Sequence, residues 1–133
     1  MPINMSYPKP RSLQTKIIPI LRTDAATPKC VLPKGCVVVN LHVNQTTAAV
    51  TGAATFDLGW SGTAQAMLAA FSMPTTKVGL ANAGAFTGLQ VGVPLTADRE
   101  ILSTYAVGTS TAGGEGYVVI DYFMPGPGEG LYG

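Results

Sequence analysis

Charge is what this chain has least of. Lys, Arg, Asp and Glu together make up 11% of its 133 residues, against about 25% in an ordinary globular domain. The net charge is +1 and the mean hydropathy is +0.30, so electrostatic repulsion does little to hold copies of the protein apart. An exterior of Ala, Gly, Thr and Ser suits a protein whose outside is covered by neighbours. A soluble monomer with an uncharged, Thr-rich face is the other reading of the same composition.

Long apolar runs are missing as well. No stretch approaches the roughly 20 apolar residues of a membrane-spanning helix, and the opening MPINMSYPKPRSLQ has no apolar segment of the kind a secretory signal needs. The expectation is therefore maturation in the cytoplasm. His42 is the one histidine, and Cys30 and Cys36, six positions apart, are the two cysteines. These do not complete a zinc site unless a ligand comes from elsewhere, and both thiols read as reduced, apolar side chains. No metal or cofactor is expected, and a chain of this length buries roughly two-thirds of its unfolded surface in one core without such staples.

The few charges are unevenly placed. Residues 1–34 hold Lys9, Arg11, Lys16, Arg22, Lys29 and Lys34 against Asp24, a net +5. Residues 35–133 hold Lys77 and Arg99 against Asp57, Asp98, Glu100, Glu115, Asp121 and Glu129, a net −4. That asymmetry favours head-to-tail complementarity between copies or toward a partner.

Along the chain, Pro2, Pro8 and Pro10 mark an extended arm. TKIIPILR (15–22) is β-branched, but Pro19 confines it to a sheet edge. After a turn at Pro33, Lys34 and Gly35, CVVVNLHVNQT places Val37, Val39, Leu41 and Val43 on one face and Val38, Asn40, His42 and Asn44 on the other. AATFDLGW brings Ala54, Phe56, Leu58 and Trp60 together. TAQAMLAAFSM, rich in helix formers and stopped by Pro74, predicts a short helix. TKVGLANAGAFTG reads as a loop with room for one short strand. Three further strands are predicted over 89–95, 99–108 and 116–124, with Ile101, Tyr105 and Val107 sharing a face, as do Val118, Ile120 and Tyr122.

The fold class expected is all-β: an antiparallel sandwich or jelly roll of seven or eight strands with one short helical insertion. Residues 1–14 form an extended N-terminal arm, 15–124 the sandwich and 125–133 a flexible C-terminal tail. No fixed-period repeat is present.

Little here points to catalysis, and the protein is expected not to be an enzyme. His42 sits in mid-strand between Asn40 and Asn44, the place of a solvent-side or interface histidine rather than a base. Asp98 and Glu100 flank Arg99, which favours turn capping or a salt bridge over acid–base work. The runs GGEG and GPGEG lack the strand, helix and Lys of a phosphate loop. Tyr7 beside Lys9 and Arg11 is thin support for nucleic-acid binding.

LPKGCVVVNLHVNQTTAAVTGAATFDLGWSG, GTAQAMLAAF and STAGGEGYVVIDYF together resemble, in layout and loop chemistry, the small β-sandwich virion proteins of tailed bacteriophages, over roughly residues 32–123. Among these the nearest in size and style are head decoration or cement proteins. The resemblance implies a jelly-roll homotrimer on the capsid surface of the virion, made in the host cytoplasm and clamping neighbouring major capsid protein subunits. It implies no catalytic residue, nucleic acid, membrane or small-molecule substrate. The alternatives are a tail, neck or baseplate component, or a carbohydrate-binding module using Trp60, Tyr105, Tyr117 or Tyr122.

The ends fit an assembling protein. Proline restricts an arm before it docks, and aromatic or aliphatic tips anchor it in a partner's groove. The candidate interface residues are Pro2, Ile3, Tyr7, Pro8, Pro10 and Arg11 in one arm and Pro125, Pro127, Leu131 and Tyr132 in the other. The bland reading of both arms is a disordered tail.

Overall fold

The computed structural model describes residues 13–76, 79–82 and 93–124, with 79–82 described in the backbone only. Eight strands make two four-stranded sheets: β1 (Gln14–Ile20), β2 (Thr27–Leu32), β3 (Val37–Gln45), β4 (Ala54–Trp60), β5 (Thr63–Met73), β6 (Gly79–Asn82), β7 (Arg99–Ala106) and β8 (Gly116–Phe123). One sheet is ordered β1-β8-β3-β6, the other β2-β7-β4-β5. The antiparallel pairs β1 with β8, β2 with β7, β3 with β6 and β4 with β5 are those of one long hairpin folded over on itself, the strand order of a jelly roll.

The apolar faces meet between the sheets. Val118, Ile120 and Tyr122 of β8 point inward, as do Ile101, Ser103 and Tyr105 of β7 and Ala54, Phe56 and Leu58 of β4, with Trp60 packed at the margin. Each fully buried large side chain contributes about 1.5–3 kcal/mol. Val107, expected on the face of Ile101 and Tyr105, lies past the end of β7 and is exposed. Pro19 does confine its strand: β1 is a sheet edge. Gly35, at φ 88°, makes the turn between β2 and β3.

Two expectations are corrected. In β3 the alternation changes phase at a bulge, because Val38 pairs with Tyr122 and Asn40 with Asp121, leaving Val39 as the extra residue. Val38, Leu41 and Val43 therefore face the core, and Val39 does not. The predicted helix over TAQAMLAAFSM is instead β5, paired along β4. Its register shifts twice, Ala70 adopts φ 47°, and Ala66, Met67 and Leu68 are buried in succession. The bulges erase the period of two, and pairing with β4 overrides the helix propensity of Ala, Met, Leu and Gln. Asp57 holds the bulge by accepting the Ala70 amide at 2.7 Å and the Gln65 side-chain amide at 3.1 Å.

Of the strand expected over 89–95, residues 89–92 lie outside the described residues. Val93–Leu95 carries no strand, although Leu95 exchanges backbone hydrogen bonds with Gly35 and Cys36.

The connections segregate. Those after β1, β3, β5 and β7 leave from one end of the sandwich, while the start of β1, the end of β8 and the connections after β2 and β4 belong to the other.

Candidate assembly interface

At the loop end the chain consumes its own charges. Arg22 donates its guanidinium to Ser110 Oγ at 2.9 Å, to the Ser110 carbonyl at 2.9 Å and to the Gly113 carbonyl at 3.0 Å. The same guanidinium lies 5.8 Å from the centroid of the Tyr105 ring. The Arg22 amide donates to Glu115 at 2.9 Å. Beside it Lys29 and Asp24 form a 2.8 Å ion pair with side chains 6% and 2% exposed, and Asp24 also accepts the Leu21 amide. The Tyr105 hydroxyl donates to the Gly114 carbonyl at 2.8 Å. Burial pushes that phenol up, and the neighbouring Arg22 opposes the shift.

This network ties the β1–β2 connection to the β7–β8 connection. The β3–β4 loop is bound in through the Glu115 carbonyl, which accepts the amides of Thr46 and Thr47, and the Val50–Ala112 bridge. Gln45 and Ala49 donate to the Pro74 carbonyl and bring in the β5–β6 connection. What the end exposes is Leu21, Val50, Val107, Thr51 and Thr109, a surface without an unpaired charge among the described residues. Lys77 of the β5–β6 connection lies outside them.

Nothing in the sequence reading singled out Arg22. Its partners are about 90 positions away, and only the fold brings them together.

The terminal end differs. Lys34 and Asp98 are exposed, and Asp98 accepts the Lys34 amide at 2.7 Å, the turn-capping role expected of it. Arg99 stacks 4.8 Å from the centroid of the Trp60 ring. Gln14 pairs with Tyr122, so β1 starts and β8 finishes at this same end. The arm candidates Pro2, Ile3, Tyr7, Pro8, Pro10, Arg11, Pro125, Pro127, Leu131 and Tyr132 all lie outside the described residues.

Three of the four sheet edges, β1, β2 and β5, resist strand addition. In β1, Pro19 removes a donor, and Lys16, in phase with the inward Ile18 and Ile20, is an inward-pointing charge at the margin. β2 has Pro28 and a bulge beside it, and β5 is bulged twice. These are devices that block edge-to-edge pairing. Contacts through the faces remain open: Ile17 is 63% exposed and Tyr117 43% exposed on the outer side of the β1–β8 pair, next to Pro19 and Val119.

The other chemical candidates resolve simply. His42 is half-buried, with Nε2 2.6 Å from Asn40 Nδ2. Cys30 and Cys36 are free thiols. Burial pushes Cys36 up to about 11, with the neighbouring Cys30 adding to the shift, and burial raises Cys30 against the opposing charge of Lys16. Among the described residues no group of three His, Cys, Asp or Glu side chains is placed to hold a metal ion. Of the aromatic platforms considered for a sugar, Tyr105 and Tyr122 are core residues and Trp60 is half-buried beneath Arg99, which leaves Tyr117.

Two solved structures are similar in fold. A chain of the cyanophage Pam1 capsid asymmetric unit is 18% identical with a TM-score of 0.63, and the match covers 94% of this chain and 100% of that one. A chain of the acidic stable capsid structure of Helicobacter pylori bacteriophage KHP30 is 11% identical with a TM-score of 0.59, over 87% of this chain and 94% of its own. The likeness is one of fold. No family model matches the chain, and no curated protein does.

Proposed function

We propose that this protein is a structural virion protein of a bacteriophage, a decoration or cement subunit that binds the assembled head and stabilises it by bridging major capsid protein subunits. The observation that carries this reading is the nearly end-to-end fold likeness to chains of two phage capsid structures. A loop end without an unpaired charge among the described residues and three edges closed to strand addition support it. The mechanism is mass action: a ligand that binds only the assembled shell stabilises that shell, and several simultaneous contacts multiply the effect. The subunit acts as a homotrimer, with its arms reaching neighbouring subunits.

The test is addition of the purified chain to heads lacking it. Co-sedimentation with a rise in the temperature at which the heads open is expected. Heads that neither bind it nor gain stability sink the reading, and attachment to tails or necks instead moves the protein there within the virion.

A further inference from the structure

On the outer side of the β2–β7 pair lies a small patch of mixed character. Val31 pairs with Glu100, and both side chains face away from the core because their neighbours Leu32 and Ile101 face into it. Val31 is 52% exposed, Glu100 and Pro28 are exposed, and Leu102 is half-buried on the same side. Glu100 has no hydrogen-bond or ion-pair partner among the described residues, whereas Asp24, Asp57, Asp98, Glu115 and Asp121 each accept at least one hydrogen bond. The patch is thus one unpartnered carboxylate ringed by apolar side chains.

We propose that this patch receives the N-terminal segment, residues 1–12, of a second copy of the chain, with Lys9 and Arg11 on Glu100 and with Tyr7 and Pro8 on Val31 and Leu102. The charges are complementary: the segment carries Lys9 and Arg11 and no acidic residue. The lengths agree, because twelve extended residues reach about 40 Å, more than the length of a sandwich whose longest strand is 11 residues, or roughly 36 Å. The mode of contact agrees too. Three prolines leave the segment short of backbone donors, and the β2 edge, with Pro28 and its bulge, is closed to strand addition. Side chains on a face are what both surfaces offer. Copy-to-copy docking of this kind gives the head-to-tail pairing that the charge asymmetry favours, and it rests on the assembly reading above only in taking the partner to be another copy.

The experiment uses the full chain as an equal mixture of ¹⁴N- and ¹⁵N-labelled copies at the highest soluble concentration. A zero-length carbodiimide joins amines to carboxylates, and peptide mass spectrometry reads which pairs are linked. A Lys9–Glu100 link between light and heavy copies is expected, falling several-fold at high salt as the pair is screened. It should fall in Arg11→Glu, which leaves the Lys9 amine and the Glu100 carboxylate in place to react. An Arg11→Glu, Glu100→Lys chain should recover association, read by native mass, that each single change loses. Links confined to one isotope, absence of any Lys9–Glu100 link, or equal native mass in wild type and Glu100→Lys each overturns the proposal. Head binding separates the two readings: if Glu100→Lys still co-sediments with heads while association between copies is lost, both stand. If wild-type chain binds heads with no link between copies, this proposal alone falls.

Discussion

Arg22 holds the loop end by geometry as much as by charge. Its planar fork satisfies two carbonyls and a hydroxyl of the β7–β8 connection while its face lies over Tyr105. Arg22→Ala is expected to cost about 2–4 kcal/mol in denaturant unfolding, since it strands buried acceptors as well as losing contacts. Arg22→Lys should recover little of that loss, because an ammonium cannot reproduce the fork. A second residue-scale expectation concerns pH. Cys36 holds its proton in the fold to about 11 against about 9 in the unfolded chain. Between those values the unfolded chain binds fewer protons, so stability present below pH 9 is lost as pH rises through 11. Denaturant midpoints measured across that window should fall less steeply in Cys36→Val than in wild type.

β5 shows why an element can be misread when every residue in it is read correctly. Ala66, Met67 and Leu68 are buried in succession, a pattern that belongs to neither a regular strand nor an amphipathic helix, and a bulge held from β4 by Asp57 produces it. Gly59 is the companion feature on β4. A Cβ there would strike the Thr63 carbonyl oxygen and the Ala64 backbone, which have no side-chain freedom to yield. Gly59→Ala is expected to destabilise by about 2–4 kcal/mol, read by thermal unfolding, with the β4–β5 hairpin amides losing hydrogen-exchange protection first. The edge devices are testable at this scale also. Lys16→Val with Pro19→Val should raise aggregation on light scattering, because β1 would become an open, apolar edge.

At the scale of the molecule, the sandwich presents two unlike ends. Among the described residues, one is made of Thr, Ala, Gly and Val and has its charges tied internally; the other bears Lys34, Asp98, Arg99, the start of β1 and the end of β8. In the proposed assembly, a subunit linked to others by its arms separates stability from assembly. Deleting residues 1–11 or 125–133 is therefore expected to leave the thermal midpoint nearly unchanged. The same deletions should reduce attachment to heads by tenfold or more or bring the native mass from trimer to monomer, measured by co-sedimentation and native mass spectrometry. A deletion that unfolds the sandwich instead would show that an arm belongs to the core.

Sequence alone determined the all-β class, the edge position of β1, and the core faces of β4 and β8. Alternation is a local pattern, and Pro19 speaks for its own backbone. It also determined that the protein is poor in charge and uneven in where that charge lies. Only the tertiary structure decided the phase of β3, the identity of β5, the Arg22 clasp and the Val31–Glu100 patch. A bulge is a relation between two strands, and the clasp joins residues about 90 positions apart. Such relations come into being when distant segments pair, and no window along the chain contains them.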